Sequence, residues 1–353
     1  MDEASGRWRR NGEAVAGQLS LVDYCQGFQR ASEPWLPLPL ADDITLDWWR
    51  QLLAEDPSGL LQGDRVLQTL QAVLPQLRLP QVHGISRSEH YRLLVLLGEK
   101  ANPADLLAAG PEPLWQQSNA LKLWLAPHPC GAMPVLSTPN WSDFCLLVNA
   151  LVHRCEPVAL AHGVHAQAVG GLIHWGLIRR FGPTSRARLI LLHDAPYGSV
   201  DASEVPACPD AASWQQASTT LRLEHELTHL ATKRLLGEMR LNLLDELIAD
   251  CMAMVAALGL FDARLFGRCL GLDPHGEPLA GGRWCTYVAE LEAGDAYRAL
   301  LLVMARAQEL QALFQANPML LRPDSSMARL HWLCQQRLDQ VICGCPETTR
   351  AWS

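Results

Sequence analysis

The chain has 353 residues, 49% of them hydrophobic, with a formal net charge of −8 at pH 7 and a pI near 5.8. That length allows one large or two modest domains, each with an adequate core. The acidic balance excludes a general basic surface, so nucleic acid and anionic membrane are not expected as partners.

In chain order, residues 1–17 mix Arg7, Arg9 and Arg10 with acids and lack an apolar core. They do not read as a signal segment, and no run downstream is long enough to span a bilayer, so a cytoplasmic protein is expected. The 11 cysteines are scattered and odd in number, which reads as reduced, mostly buried thiols rather than a disulfide framework. The N-terminal region reads as short helices broken by prolines at Trp35-Leu36-Pro37-Leu38-Pro39 and Leu79-Pro80, with helical apolar spacing from Val66 to Leu74. Trp48 and Trp49 start one such helix and read as packing residues. Proline-rich stretches at 101–113 and 127–139 mark linkers, with a short strand at Lys122–Leu125 between them. These place a domain boundary near residue 130, giving a helical region 1–130 and a second domain 131–353.

Downstream, Arg188 to His193 is an apolar run ending in His193-Asp194-Ala195-Pro196-Tyr197-Gly198, a strand feeding a turn. Residues 199–209 read as a loop, and Asp210 to Ser213 offer caps for a long helix. That helix carries His225-Glu226-Leu227-Thr228-His229. Residues four apart lie one turn above each other, so both imidazoles project from one face and can close on one metal ion. Glu226 is rotated by about 100° from His225 and falls beside such an ion, which suits a general base for a metal-bound water.

A site with two histidines needs a third protein ligand that leaves one position open. The helix should end near Leu236 with Gly237 as its left-handed stop, and Asn242 with Asp245 reads as the capped start of the next helix. At ~1.5 Å per residue the returning helix brings Glu246 within about a turn of the His229 level. Asp250, four residues on, returns toward His225 and can accept the imidazole's other N–H. Asp245 is a competing ligand, although its capping position favours a structural role. The same residues also have bland readings, as polar positions on an amphipathic helix and acids in a first turn. Those readings require five residue types at matched spacing to coincide.

The pattern His-Glu-x-x-His followed by Glu-x-x-x-Asp on the next helix resembles the gluzincin metallopeptidases typified by thermolysin, and also a zincin-like bacterial group. The resemblance spans about 26 of the 353 residues, His225 to Asp250, and the 16 residues between His229 and Glu246 are fewer than in thermolysin. It implies an α+β, predominantly helical fold with a zincin-like core and a small sheet beside the motif helix. It implies Zn²⁺ held by His225, His229 and Glu246, with Glu226 as base, Asp250 behind His225, and a peptide or protein substrate. By the same resemblance the strand at 188–193 is either the sheet edge that takes an extended substrate or an interior strand. The alternative function is a zinc-stabilised helical module without catalysis.

A hydrolase also needs a donor for the developing oxyanion. Arg283 and Tyr287, four apart after Gly281-Gly282, share a helical face and are the candidates; Tyr197, His193 and His331 are rivals. Helical spacing returns over 294–315 and 325–341. Cys343-Gly344-Cys345 is the one close thiol pair, a candidate for soft-metal or redox chemistry.

Overall fold

The computed structural model describes residues 19–342 except 55, 57, 99–107, 161–162, 174 and 183–186; residues 1–17 and Cys343-Gly344-Cys345 lie outside the described residues. The protein is about 52% helical with one five-stranded mixed sheet, which is the α+β, mostly helical class expected. Two compact units are present: residues 41–194, and residues 19–40 together with 195–342.

The first unit is built on the sheet. Strands β1 (Leu60–Gln62), β2 (Lys122–Ala126), β3 (Met133–Thr138), β4 (Ala166–Val169) and β5 (Leu189–His193) lie in the order β1-β2-β3-β5-β4. Only β3 and β5 run parallel. Every residue of β3 and β5 is buried, as expected of central strands covered on both faces. Helices α1 (Leu46–Leu53), α2 (Asp64–Val73), α3 (Trp141–Leu151) and α4 (Trp175–Phe181) supply the cover. Trp49, Val66, Leu70, Phe144 and Leu147 join Leu123, Leu136 and Leu191 in one core cluster. Asn140 caps α3 by accepting from the Asp143 N–H at 3.0 Å.

Two expectations are corrected here. Residue 130 lies between β2 and β3, and those strands pair along their whole length from Lys122↔Ser137 to Ala126↔Met133. A ladder of backbone hydrogen bonds holds both sides of that point in one unit, so the chain divides after Asp194 instead. The region before it is not purely helical, since it contributes β1 and β2. The strand at 188–193 is interior, hydrogen-bonded to β3 on one side and β4 on the other, and so offers no free edge to an extended substrate.

The second unit is helical: α5 (Ala211–Leu236), α6 (Leu243–Leu258), α7 (Ala263–Leu270), α8 (Trp284–Tyr287), α9 (Ala293–Ala316) and α10 (Ser326–Cys334). Asp210 caps α5 by accepting from the Ser213 N–H at 2.8 Å, and Gly237 ends it at φ 76°. Asn242 caps α6 by accepting from the Asp245 N–H at 3.1 Å. These are the stop and start that the sequence signals. The segment 19–40 is tied to this hairpin: the Tyr24 hydroxyl accepts from the Leu243 N–H at 2.9 Å and donates to the Tyr287 carbonyl at 3.2 Å. Helix α10 ends at Cys334, short of the 341 that apolar spacing predicts. No described helix is long and apolar enough to cross a membrane.

Candidate metal centre

Contacts between α5 and α6 run in opposite senses along the two helices. His229 meets Asp245 and Glu246, whereas His225, one turn earlier, meets Asp250. An antiparallel hairpin with the motif on one arm and Glu-x-x-x-Asp on the other therefore aligns all five side chains. His225 Nε2 and His229 Nε2 are 3.1 Å apart. Glu246 Oε1 lies 3.3 Å from His229 Nε2, and Glu246 Oε2 lies 3.5 Å from His225 Nε2. All three residues are buried and form the His/Cys/Asp/Glu group among the described residues able to hold a metal ion.

The outer atoms of each ring are also engaged. His225 Nδ1 lies 2.7 Å from Asp250 Oδ1, which makes it the donor of that pair and leaves Nε2 as a lone pair facing the cluster. The Tyr197 hydroxyl donates to the same Asp250 Oδ1 and sits 3.0 Å from His225 Nδ1. His229 Nδ1 faces Asp245 Oδ1 at 3.4 Å, and neither atom has a hydrogen bond within ordinary geometry. Asp245 Oδ2 accepts from the backbone N–H groups of Arg240 and Leu241 at 3.1 and 3.0 Å, closing the turn between the helices. Arg283 completes the set with Nη2 at 2.8 Å from Glu246 Oε2 and at 3.4 Å from the Tyr287 hydroxyl, and with Nη1 at 3.3 Å from the Tyr197 hydroxyl.

Charge in this cluster is heavily perturbed. Burial disfavours the ionised form of Glu246, but His225, His229 and Arg283 outweigh it and hold the carboxyl far below its usual range. Burial likewise opposes a charge on His229, yet Asp245 and Glu246 keep its pKa well above the ordinary histidine value. The Tyr197 and Tyr287 hydroxyls are pushed up chiefly by burial and remain protonated donors at neutral pH.

Do these residues fit a divalent cation? Donors ~2.0–2.2 Å from a tetrahedral ion are roughly 3.3–3.6 Å from each other. The two ring nitrogens are 3.1 Å apart, a little inside that spacing, and the Glu246 oxygens reach one ring each, Oε1 to His229 at 3.3 Å and Oε2 to His225 at 3.5 Å; one donor atom from each residue lies within 4.8 Å of the others. Without an ion, a proton on His229 and the Arg283 guanidinium are the positive charges that face the Glu246 carboxylate; metal ligation needs both rings neutral. Of the groups in direct contact, Glu246, Asp245 and Asp250 oppose only Arg283, leaving two buried negative charges if both rings are neutral. A dication neutralises that excess.

The structure thus brings His225, His229, Glu246 and Asp250 together, with Arg283 and Tyr287 against Glu246. Glu226 is half-buried on α5, next to His225 in sequence. Of the rival donors, Tyr197 is at the cluster but turned onto Asp250. His193 belongs to the first unit, where its Nδ1 pairs with His165 Nδ1 at 2.8 Å, and His331 packs edge-on against Trp35. Two roles escape sequence reasoning. Asp245 faces His229 Nδ1 at 3.4 Å as well as closing the turn, and capping explains only its position, not its second oxygen. Tyr197 links His225 and Asp250, and nothing in Pro196-Tyr197-Gly198 points at a residue 53 positions away.

A family model described as "Family of unknown function (DUF7005)" matches residues 20–187 and 183–343. No curated protein matches the chain significantly, and no solved structure does.

Proposed function

The chain belongs to the DUF7005 family, and for this member we propose a zinc-dependent hydrolase, a gluzincin-like metallopeptidase acting on a peptide or protein. The observation that carries the reading is the convergence of His225, His229 and Glu246, all buried, with one ligand atom of each within 4.8 Å of the others. Zn²⁺ bound there would supply a water of lowered pKa and polarise a substrate carbonyl. His225, His229 and Glu246 would hold it, with Asp250 and Asp245 fixing the two rings. Glu226, on the same helix and half-buried, takes a proton from the attacking water and returns it to the leaving amine. Tyr287 and Arg283 are the donors available to negative charge building on the substrate oxygen. In this reading the metal-binding hairpin is zincin-like, and the nine described cysteines, all free thiols, agree with a cytoplasmic setting.

The deep burial of the three ligands also favours a second reading, a zinc-stabilised module without catalysis. Elemental analysis of the purified chain should find about one zinc per molecule. Glu226→Gln then separates the readings: a peptidase retains zinc but loses cleavage of an unfolded protein substrate by two or more orders of magnitude, as expected for loss of a general base. Cleavage unchanged by Glu226→Gln, or an absence of cleavage in the zinc-loaded wild type, removes the catalytic reading.

A further inference from the structure

We propose that Arg283 is the positioning residue of the third ligand: it clamps Glu246 so that its carboxylate faces the histidines before any ion arrives. This rests on the metal reading above. Each histidine has an aspartate behind it, Asp250 at 2.7 Å from His225 and Asp245 at 3.4 Å from His229, and among the described residues the group in the equivalent place on Glu246 is Arg283. The two carboxylate oxygens divide the contacts. Oε2 takes the guanidinium at 2.8 Å and lies 3.5 Å from His225 Nε2, while Oε1 lies 3.3 Å from His229 Nε2, so the clamp holds both oxygens toward the rings. Without such a partner a glutamate side chain has rotamers that turn both oxygens away.

Arg283 is half-buried and itself held by several contacts. Its Nη1 reaches the Tyr197 hydroxyl at 3.3 Å and the Cys269 carbonyl at 3.4 Å, and its guanidinium lies 5.4 and 5.9 Å from the Tyr197 and Tyr287 ring centres. The backbone that delivers it is equally constrained. Gly271, at φ 91°, lies so close to Gly282 that a Cβ on Gly271 would fall 2.5 Å from the Gly282 Cα. A Cβ on Gly282 would meet the Gly271 carbonyl oxygen at 2.8 Å. Between them the hairpin is closed by Leu279 N–H to the Gly271 carbonyl at 3.0 Å and by Asp273 N–H to the Glu277 carbonyl at 2.8 Å. Two glycines in backbone contact therefore fix the point from which Arg283 reaches the cluster.

Two effects of this guanidinium oppose each other, and they differ in sign. As a positive charge beside a cation site it weakens metal binding, whereas as a clamp it strengthens binding by pre-orienting a ligand. The sign of the change on removing it decides between them. Zinc affinity of the full-length chain is to be measured by competition with a chelating dye for wild type, Arg283→Gln, Arg283→Lys and Gly282→Ala. Far-UV circular dichroism confirms folding, and Co²⁺ visible absorption reports ligand geometry. A clamp predicts dissociation constants raised roughly 10–100-fold in Arg283→Gln with weakened Co²⁺ bands, and partial recovery in Arg283→Lys. Gly282→Ala keeps the guanidinium but displaces it, and should shift affinity the same way. Zinc bound as tightly or more tightly by a folded Arg283→Gln overturns the clamp while leaving the metal reading intact. A wild-type chain that takes up no zinc overturns the metal reading itself.

Discussion

Asp250 and Asp245 sit behind the two imidazoles, and neither is interchangeable with an uncharged neighbour. Asp250 Oδ1 receives both the His225 Nδ1–H and the Tyr197 hydroxyl, so its loss leaves a ring free to choose the wrong tautomer and a buried phenol without an acceptor. Asp250→Ala should weaken zinc binding by 10–100-fold in dye competition. Tyr197→Phe should weaken it less, because the ring nitrogen keeps its carboxylate; a larger loss in Tyr197→Phe than in Asp250→Ala would refute this ordering. The ligands themselves are the sharper case. Glu246→Gln keeps the shape but not the anion, and the chain should then emerge from dialysis without stoichiometric zinc.

At the scale of elements, the arrangement depends on how the two long helices and the Tyr197 segment are stopped and started. Gly198 has φ 61°, and a Cβ there would lie 2.8 Å from the Cys269 Cα, so only glycine lets the chain pass this close to α7. The neighbouring Tyr197 N–H donates to Ser218 Oγ at 2.9 Å, and Arg222 donates to the Ala195 carbonyl at 2.9 Å, fastening the segment to α5. Gly198→Ala is expected to cost on the order of 1–3 kcal/mol in urea unfolding and to lower zinc affinity by displacing Tyr197. Loss of stability with zinc affinity intact would mean that the hydroxyl does not contribute to the site. Much of this scale is readable from sequence. Gly237 and Asn242 end and begin helices through local rules, left-handed backbone and a side-chain cap, and the structure places both as those rules require. Arg283 and Tyr287 share a face for the same local reason. The turn 195–198 carries no comparable signal, because what fixes it is contact with helices far along the chain.

For the molecule as a whole, a buried cluster of three carboxylates set against Arg283 should make the second unit metal-dependent in stability. Zinc present at a thousandfold excess over its dissociation constant adds about 4 kcal/mol to the folded state. Calorimetry should accordingly show an unfolding midpoint lowered by several degrees after chelation and restored by zinc, with the helical unit, residues 195–342, losing protection in hydrogen exchange. An unfolding profile indifferent to chelator in a chain shown to carry zinc would contradict the charge argument.

By itself the sequence determined the helix that bears the motif, its partner helix, their caps, the short strands read at 122–125 and 188–193, and the grouping of His225, His229 and Glu246. Each follows from periodicity, capping or spacing within a few turns of chain, where neighbouring residues set the geometry. Only the tertiary structure decided that the chain divides after Asp194 rather than near residue 130, that 189–193 is an inner strand, and that Tyr197 and Asp245 lie against the histidines and Arg283 against Glu246. Those outcomes depend on strand pairing and side-chain contacts between residues remote in sequence, or on which way a side chain turns once the helices have packed, and no local pattern carries that information.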